Sequence, residues 1–162
     1  MIEYCKYKKV VFCTDFSENC NSIFEYAFGI AKRDDSVLYI LHVIPVVLEN
    51  YTSELKSYLS KNNITEMVKA IEKSSMEEYK KNYLSKIKDK EKVKFVLRHG
   101  REEDEIIAFA KEENVDIIVI GTHGKTGLGH VFLGSVAEKV IRHSPIPIFV
   151  IPCKTKVSGS SV

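Results

Sequence analysis

Val37-Leu38-Tyr39-Ile40-Leu41-His42-Val43 is a nearly continuous apolar run, broken only by a histidine next to its end. A strand with one wet face alternates apolar with polar residues, whereas a strand covered on both faces has no need to. The run therefore predicts a buried strand in a parallel sheet, with a layer of helices on each side.

Upstream, Val10-Val11-Phe12-Cys13 is a shorter run of the same kind, followed by the polar punctuation Thr14-Asp15-Phe16-Ser17-Glu18-Asn19 that precedes a helix. Ile23, Ala27, Ile30 and Ala31 recur at helical spacing, with Ser17 or Ser22 as opening residue and an end near Asp34-Asp35. Downstream, residues 44–63 have mixed polarity, with Leu55, Tyr58 and Leu59 suggesting a short amphipathic helix. A longer helix is expected from about Ile64 to Lys88, on an apolar stripe of Ile64, Val68, Ile71, Leu84 and Ile87. Val93 to Leu97 is a third strand. Arg101-Glu102-Glu103-Asp104-Glu105 opens a helix carrying Ile106, Ile107 and Ala110, its acids matched to the positive helix N-terminus. Val115 to Ile120 is a fourth strand. A last helix over Gly134 to Arg142 stops at Ser144-Pro145, because the residue before proline disfavours helix, and Ile148-Phe149-Val150-Ile151 is a fifth strand.

Strands that alternate with helices predict a doubly wound α/β fold: a five-stranded parallel sheet, order 3-2-1-4-5, with right-handed crossovers and helices on both faces. At 162 residues the chain is the size of one domain, taken as 1–153 with a polar tail at 154–162. A core of that size needs no disulfide or metal to hold it. The 24 basic and 22 acidic residues give a formal charge of +2 without a long basic tract, so nucleic acid is not an expected partner. Cys5, Cys13, Cys20 and Cys153 lack the spacing of a zinc site. No run of about 18 apolar residues suggests a membrane span, and no apolar leader is apparent. The expected compartment is the cytoplasm, with reduced thiols.

In such sheets ligands bind beyond the carboxyl ends of the strands, where the winding order reverses. Thr14-Asp15 follows strand one, and Gly121-Thr122-His123-Gly124-Lys125-Thr126-Gly127-Leu128-Gly129 follows strand four. Glycine permits close backbone approach, so successive amides can turn toward an anion, and Gly134-Ser135 adds a helix N-terminus and a hydroxyl. The competing reading is a tight or flexible connection. Gly124-Lys125-Thr126 is not a P-loop, because Val119 stands where G-x-x-x-x-G-K-[ST] needs glycine; the dinucleotide fingerprint G-x-G-x-x-G is also absent.

Gly121-x2-Gly124-x9-Gly134-Ser135 resembles the G-x2-G-x9-G-[ST] signature of the ATP-binding branch of the universal stress protein family. The resemblance extends to Thr14-Asp15-Phe16-Ser17, Leu41-His42-Val43 and Ser144-x-x-Pro147, and covers about residues 7–152. It implies a flavodoxin-like sheet, ATP (or ADP or AMP) in the crevice, Mg²⁺ or Mn²⁺ on the phosphates, and a homodimer built on strand five, Ile148–Ile151. Carried over by residue, Asp15 would hold the ribose or adenine side and Val43 would meet the adenine. Gly121, Gly124, Gly134 and Ser135 would meet the phosphates. Cys13, Thr14, Ile120, Thr122, His123, Lys125, Thr126, Gly127 and Val136 complete the candidate binding set. Cys13 replaces a proline common in the family, which alters the adenine wall with a similarly small apolar group.

Each residue has a plainer reading beside this one. Asp15 and Ser17 can cap the first helix, His123 and Lys125 can be solvated, His42 can be a satisfied rim histidine, and Tyr51 and Tyr58 can simply pack. No catalytic constellation is evident, so the leading expectation is a nucleotide-dependent regulatory protein of the stress response with little or no hydrolysis. A slow ATPase or adenylyl-transfer enzyme, and a dimerisation module with a structural nucleotide, are the alternatives.

Overall fold

The computed structural model describes residues 5–45, 61–122 and 133–153. The strands are β1 (Lys9–Cys13), β2 (Val37–Pro45), β3 (Val93–Gly100), β4 (Ile117–Gly121) and β5 (Ile148–Ile151). Among the described residues the helices are α1 (Glu18–Asp34), α2 (Lys61–Asn82), α3 (Glu102–Glu112) and α4 (Ser135–His143). The strands form one all-parallel sheet in the order β3-β2-β1-β4-β5.

The side-chain alternation of β2 explains its unbroken apolar run. Leu38 and Ile40 enter a core with α1, α2 and β1, beside Phe12, Ile23, Ala27, Tyr79 and Tyr83. Tyr39, Leu41 and Val43 enter the opposite core with α3 and α4, beside Ile106, Phe109, Ala110, Ala137 and Val140. Both faces are dry, so neither tolerates a polar alternation. The first core is unusually aromatic: Phe12 sits between Phe24 at 5.7 Å and Tyr83 at 5.5 Å, the latter edge-on. Such ring pairs add directional attraction to area burial. Truncating the fully buried Phe12 would cost about 3–5 kcal/mol.

Several boundaries differ from the sequence expectation, among them the start of β4, at Ile117 instead of Val115. The long helix begins at Lys61 and ends at Asn82, after which Leu84–Lys86 form a 3₁₀ turn. Tyr83 leaves the helical region, with φ −123° and ψ −55°, and its ring is fully buried. Leu84 and Ile87 thus belong to the turn after the helix, where Ile87 is buried against the same core. β3 runs on to Gly100, whose φ of +151° suits glycine alone; a Cβ there would meet Glu105 Cγ at 2.8 Å. The short helix expected within residues 44–63 falls almost wholly outside the described residues, although Lys61 to Asn63 already belong to α2.

Among the described residues no helix is long and apolar enough to cross a membrane. β5 is an edge strand. Phe149 on it is 39% exposed and packs edge-on at 6.4 Å against Tyr26 of α1, which is 50% exposed. Phe149 therefore lies on the α1 side of the sheet, not under the last helix, while Val150 packs on the α4 side.

Candidate functional site

The order reverses between β1 and β4, whose pairing runs through Phe12↔Val119. Beyond that pair Thr14-Asp15 follows β1 and Thr122 follows β4 at the carboxyl edge, where two crossovers diverge to opposite faces. At the same edge Cys13, Val43 and Ile120 are buried together on the α3/α4 face, with Leu133 and Val136 packed against them.

The turn after β1 is held by side chains. Thr14 donates its amide to Leu41 O at 2.9 Å, and its carbonyl lies 2.8 Å from His42 Nδ1, which fixes the end of β1 to the middle of β2. The Thr14 hydroxyl points into the α1/α2 core, 2.6 Å from the Tyr83 hydroxyl, and accepts the Phe16 amide at 3.0 Å. Asp15 Oδ1 accepts the Ser17 amide at 2.9 Å and the Cys20 thiol at 3.0 Å. Ser17 is the N-cap of α1 by backbone position, but its own side chain makes no capping bond. The Asp15 carboxylate supplies the local bond there, an Asx-type turn. Burial, then the nearby Asp15 charge, pushes the Cys20 thiol up to about 11, and burial raises Cys13 further. Both are neutral S–H groups at neutral pH.

The chain after β4 leaves and returns to one point. Thr122 donates its amide to Ile151 O at 3.0 Å and accepts the Cys153 amide on its hydroxyl at 3.1 Å. Its carbonyl accepts the Gly134 amide at 2.6 Å, which ties the N-terminus of α4 to the end of β4. Ser135 opens α4 and is exposed. Gly134 is the N-cap, with φ −61° and ψ 150°, angles open to any L-residue. Glycine is favoured there as an N-cap, not demanded by a positive φ.

Behind this helix, buried Glu103 of α3 accepts Lys139 Nζ of α4 at 2.8 Å and the Arg101 guanidinium at 2.8 Å. The Lys139 hydrogen bond, helped by Arg101, holds the Glu103 carboxyl down at about 2. Because a buried carboxylate must keep its partners, the pair fixes α4 relative to α3.

The structure brings ten of the candidate residues to one edge: Cys13, Thr14, Asp15, Val43, Ile120, Gly121, Thr122, Gly134, Ser135 and Val136. His123, Gly124, Lys125, Thr126 and Gly127 lie outside the described residues. Sequence reading missed Phe16, Tyr83 and Cys20 as parts of the site. Nothing in a single sequence pairs Tyr83 with Thr14, 69 positions away.

A parallel doubly wound sheet with a carboxylate turn and a helix N-terminus at its reversal point places this chain in the class of α/β proteins that bind ligands at the carboxyl edge of the sheet. The chain matches the universal stress protein family over residues 6–152 and belongs to that family. It is 35% identical over 158 residues to universal stress protein MJ0577 of Methanocaldococcus jannaschii, covering 91% of this chain and 96% of the relative. The solved MJ0577 structure aligns at a TM-score of 0.69 and 32% identity, over 94% of this chain and all, 100%, of that one. UspA of Lactobacillus plantarum aligns at a TM-score of 0.71 and 25% identity, covering 91% and 99% of the two chains. A universal stress protein solved in complex with cAMP shares the fold, at a TM-score of 0.58 and 19% identity over 91% and 98%.

Proposed function

We propose that this universal stress protein binds ATP, or the related ADP or AMP, at the carboxyl edge of its sheet and acts as a nucleotide-dependent regulator in the stress response. One observation carries the reading: the Gly134–Thr122 bond brings the α4 N-terminus to the end of β4, at the reversal point where Thr14-Asp15 also leaves β1. Unpaired amides at a helix N-terminus attract phosphate, and the exposed Ser135 hydroxyl adds a donor. Glycine at this N-cap also leaves the amides of α4 open to close approach by a ligand. Cys13, Val43 and Ile120 offer the apolar surface an adenine ring requires. Mg²⁺ or Mn²⁺ would arrive with the phosphates, because such ions keep most of their waters and take few protein ligands.

Hydrolysis is expected to be slow. The two thiols beside the crevice stay protonated, so neither supplies a base or nucleophile at neutral pH. Exposed Phe149 of β5, the edge strand of the described sheet, with exposed Tyr26 of α1 beside it, supports association of two chains through Ile148–Ile151.

The experiment is calorimetric titration with ATP, ADP, AMP and adenosine, with and without Mg²⁺, alongside mass spectrometry of nucleotide released from the purified protein. ATP binding strengthened by Mg²⁺, with phosphate release well below about 1 s⁻¹, is the expected result. Absence of any adenine nucleotide in both measurements would overturn the reading.

A further inference from the structure

Among the described residues, three that are not glycine have positive φ: Phe16 at 61°, Asp35 at 59° and Asn114 at 54°. Asp35 and Asn114 follow helix ends and are of the side-chain types that tolerate the left-handed region. Phe16 is neither. A bulky residue stays there only where its surroundings over-determine it, and such outliers concentrate at binding sites.

The surroundings of Phe16 do over-determine it. Its amide donates to Thr14 Oγ1 at 3.0 Å, and that oxygen is 2.6 Å from the hydroxyl of Tyr83. Its ring lies 4.6 Å from His42, 6.1 Å from Tyr83 and 6.2 Å from Phe95. Tyr83 is fully buried and Thr14 nearly so. Plain packing would be met as well by Phe at 83 and Val at 14, whose volumes are close and which bury no hydroxyl. The hydroxyl pair is therefore a specifying device: it holds the Phe16 amide, and with it the left-handed turn. That turn lies between Asp15 and Ser17, and it lets the Asp15 carboxylate fold back onto the Ser17 amide and Cys20.

We propose that Phe16 and the buried Tyr83–Thr14 hydroxyl pair are positioning residues that set Asp15 against the ribose of a bound adenine nucleotide, tying the end of α2 to nucleotide recognition. This rests on the nucleotide reading above. Tyr83 immediately follows α2, so the same contact that fixes the turn also fixes where that helix ends.

The test uses the discrimination between ATP and 2′,3′-dideoxy-ATP, titrated into the full-length protein. A carboxylate accepting ribose hydroxyls makes ATP bind about tenfold or more tightly than the dideoxy form. Tyr83→Phe and, independently, Thr14→Val should each bring that ratio close to one, while Thr14→Ser, which keeps the hydroxyl, should retain it. A merely structural role would lower melting temperature and leave the ratio unchanged in the folded variants, which would overturn the proposal while the nucleotide reading stands. A wild-type protein that binds both forms equally would overturn it as well. Failure of the wild type to bind ATP at all would instead remove the reading on which it rests.

Discussion

Replacing Gly134 by alanine separates the demands of folding from those of binding. At φ −61° and ψ 150° the added Cβ meets no backbone prohibition, and the bonds from Gly134 N to Thr122 O and from Glu138 N to Gly134 O use atoms that alanine retains. The remaining folding penalty is that of a poorer N-cap, about 0.5–1 kcal/mol, which for a chain of this size lowers the melting temperature by roughly 1–4 °C. Binding should suffer far more. A methyl group at the mouth of α4 displaces a phosphate from amides it must approach closely, and one hydrogen bond to a charged group is worth about 1.5–3 kcal/mol. ATP affinity should fall about 10- to 150-fold, while adenosine, which has no phosphate, should bind as before. Calorimetric titration of both ligands, with thermal unfolding of the free protein, measures each term. A folded variant with unchanged ATP affinity, or one that loses adenosine equally, would refute the assignment of the α4 N-terminus to phosphate.

Acid should weaken the fold over a definable range. Hydrogen bonding from Arg33 lowers Asp34 from 3.8 to about 2, and hydrogen bonding from Lys139 lowers Glu103 from 4.5 to about 2. As pH falls the unfolded chain takes up these protons first, so the stabilisation is intact above about pH 4.5 and is lost on the way down to about pH 2. Urea midpoints across that range should drop, and Glu103→Gln should start lower at neutral pH and show a shallower decline; an equally steep decline would exclude Glu103 as a contributor. At the sheet edge, Phe149→Lys should give monomer by light scattering with ATP binding retained, because a lysine on the exposed face of β5 guards an edge against pairing. An unchanged dimer would place the interface elsewhere.

The layers of the fold were legible because each rests on a local pattern. The runs at Val10–Cys13, Val37–Val43 and Val115–Ile120 signal strands buried on both faces, Ile148–Ile151 signals a fifth strand that lies at the edge, and the helical stripes between them dictate crossovers. The end of the long helix was not legible, since Leu84 and Ile87 continue the apolar stripe while Tyr83 breaks the backbone to reach the aromatic core. No periodicity encodes that preference.

For the candidate site, the sequence by itself determined which segments stand at the carboxyl edge: Thr14-Asp15 after β1, Gly121-Thr122 after β4, and Gly134-Ser135 opening α4. The existence and type of these strands and helices rest on local pattern, so composition and spacing suffice to place the segments, though not every boundary. Only the tertiary structure decided how those segments are held. Thr14 turns its hydroxyl away from the crevice to Tyr83, Phe16 adopts a left-handed conformation, Cys20 bonds to Asp15, and Glu103 binds Lys139 across two helices. Apart from the short Asp15–Cys20 link, these contacts join or depend on residues brought together by sheet order and helix packing. Their energies depend on burial and on geometry of a few tenths of an ångström, neither of which a linear pattern carries.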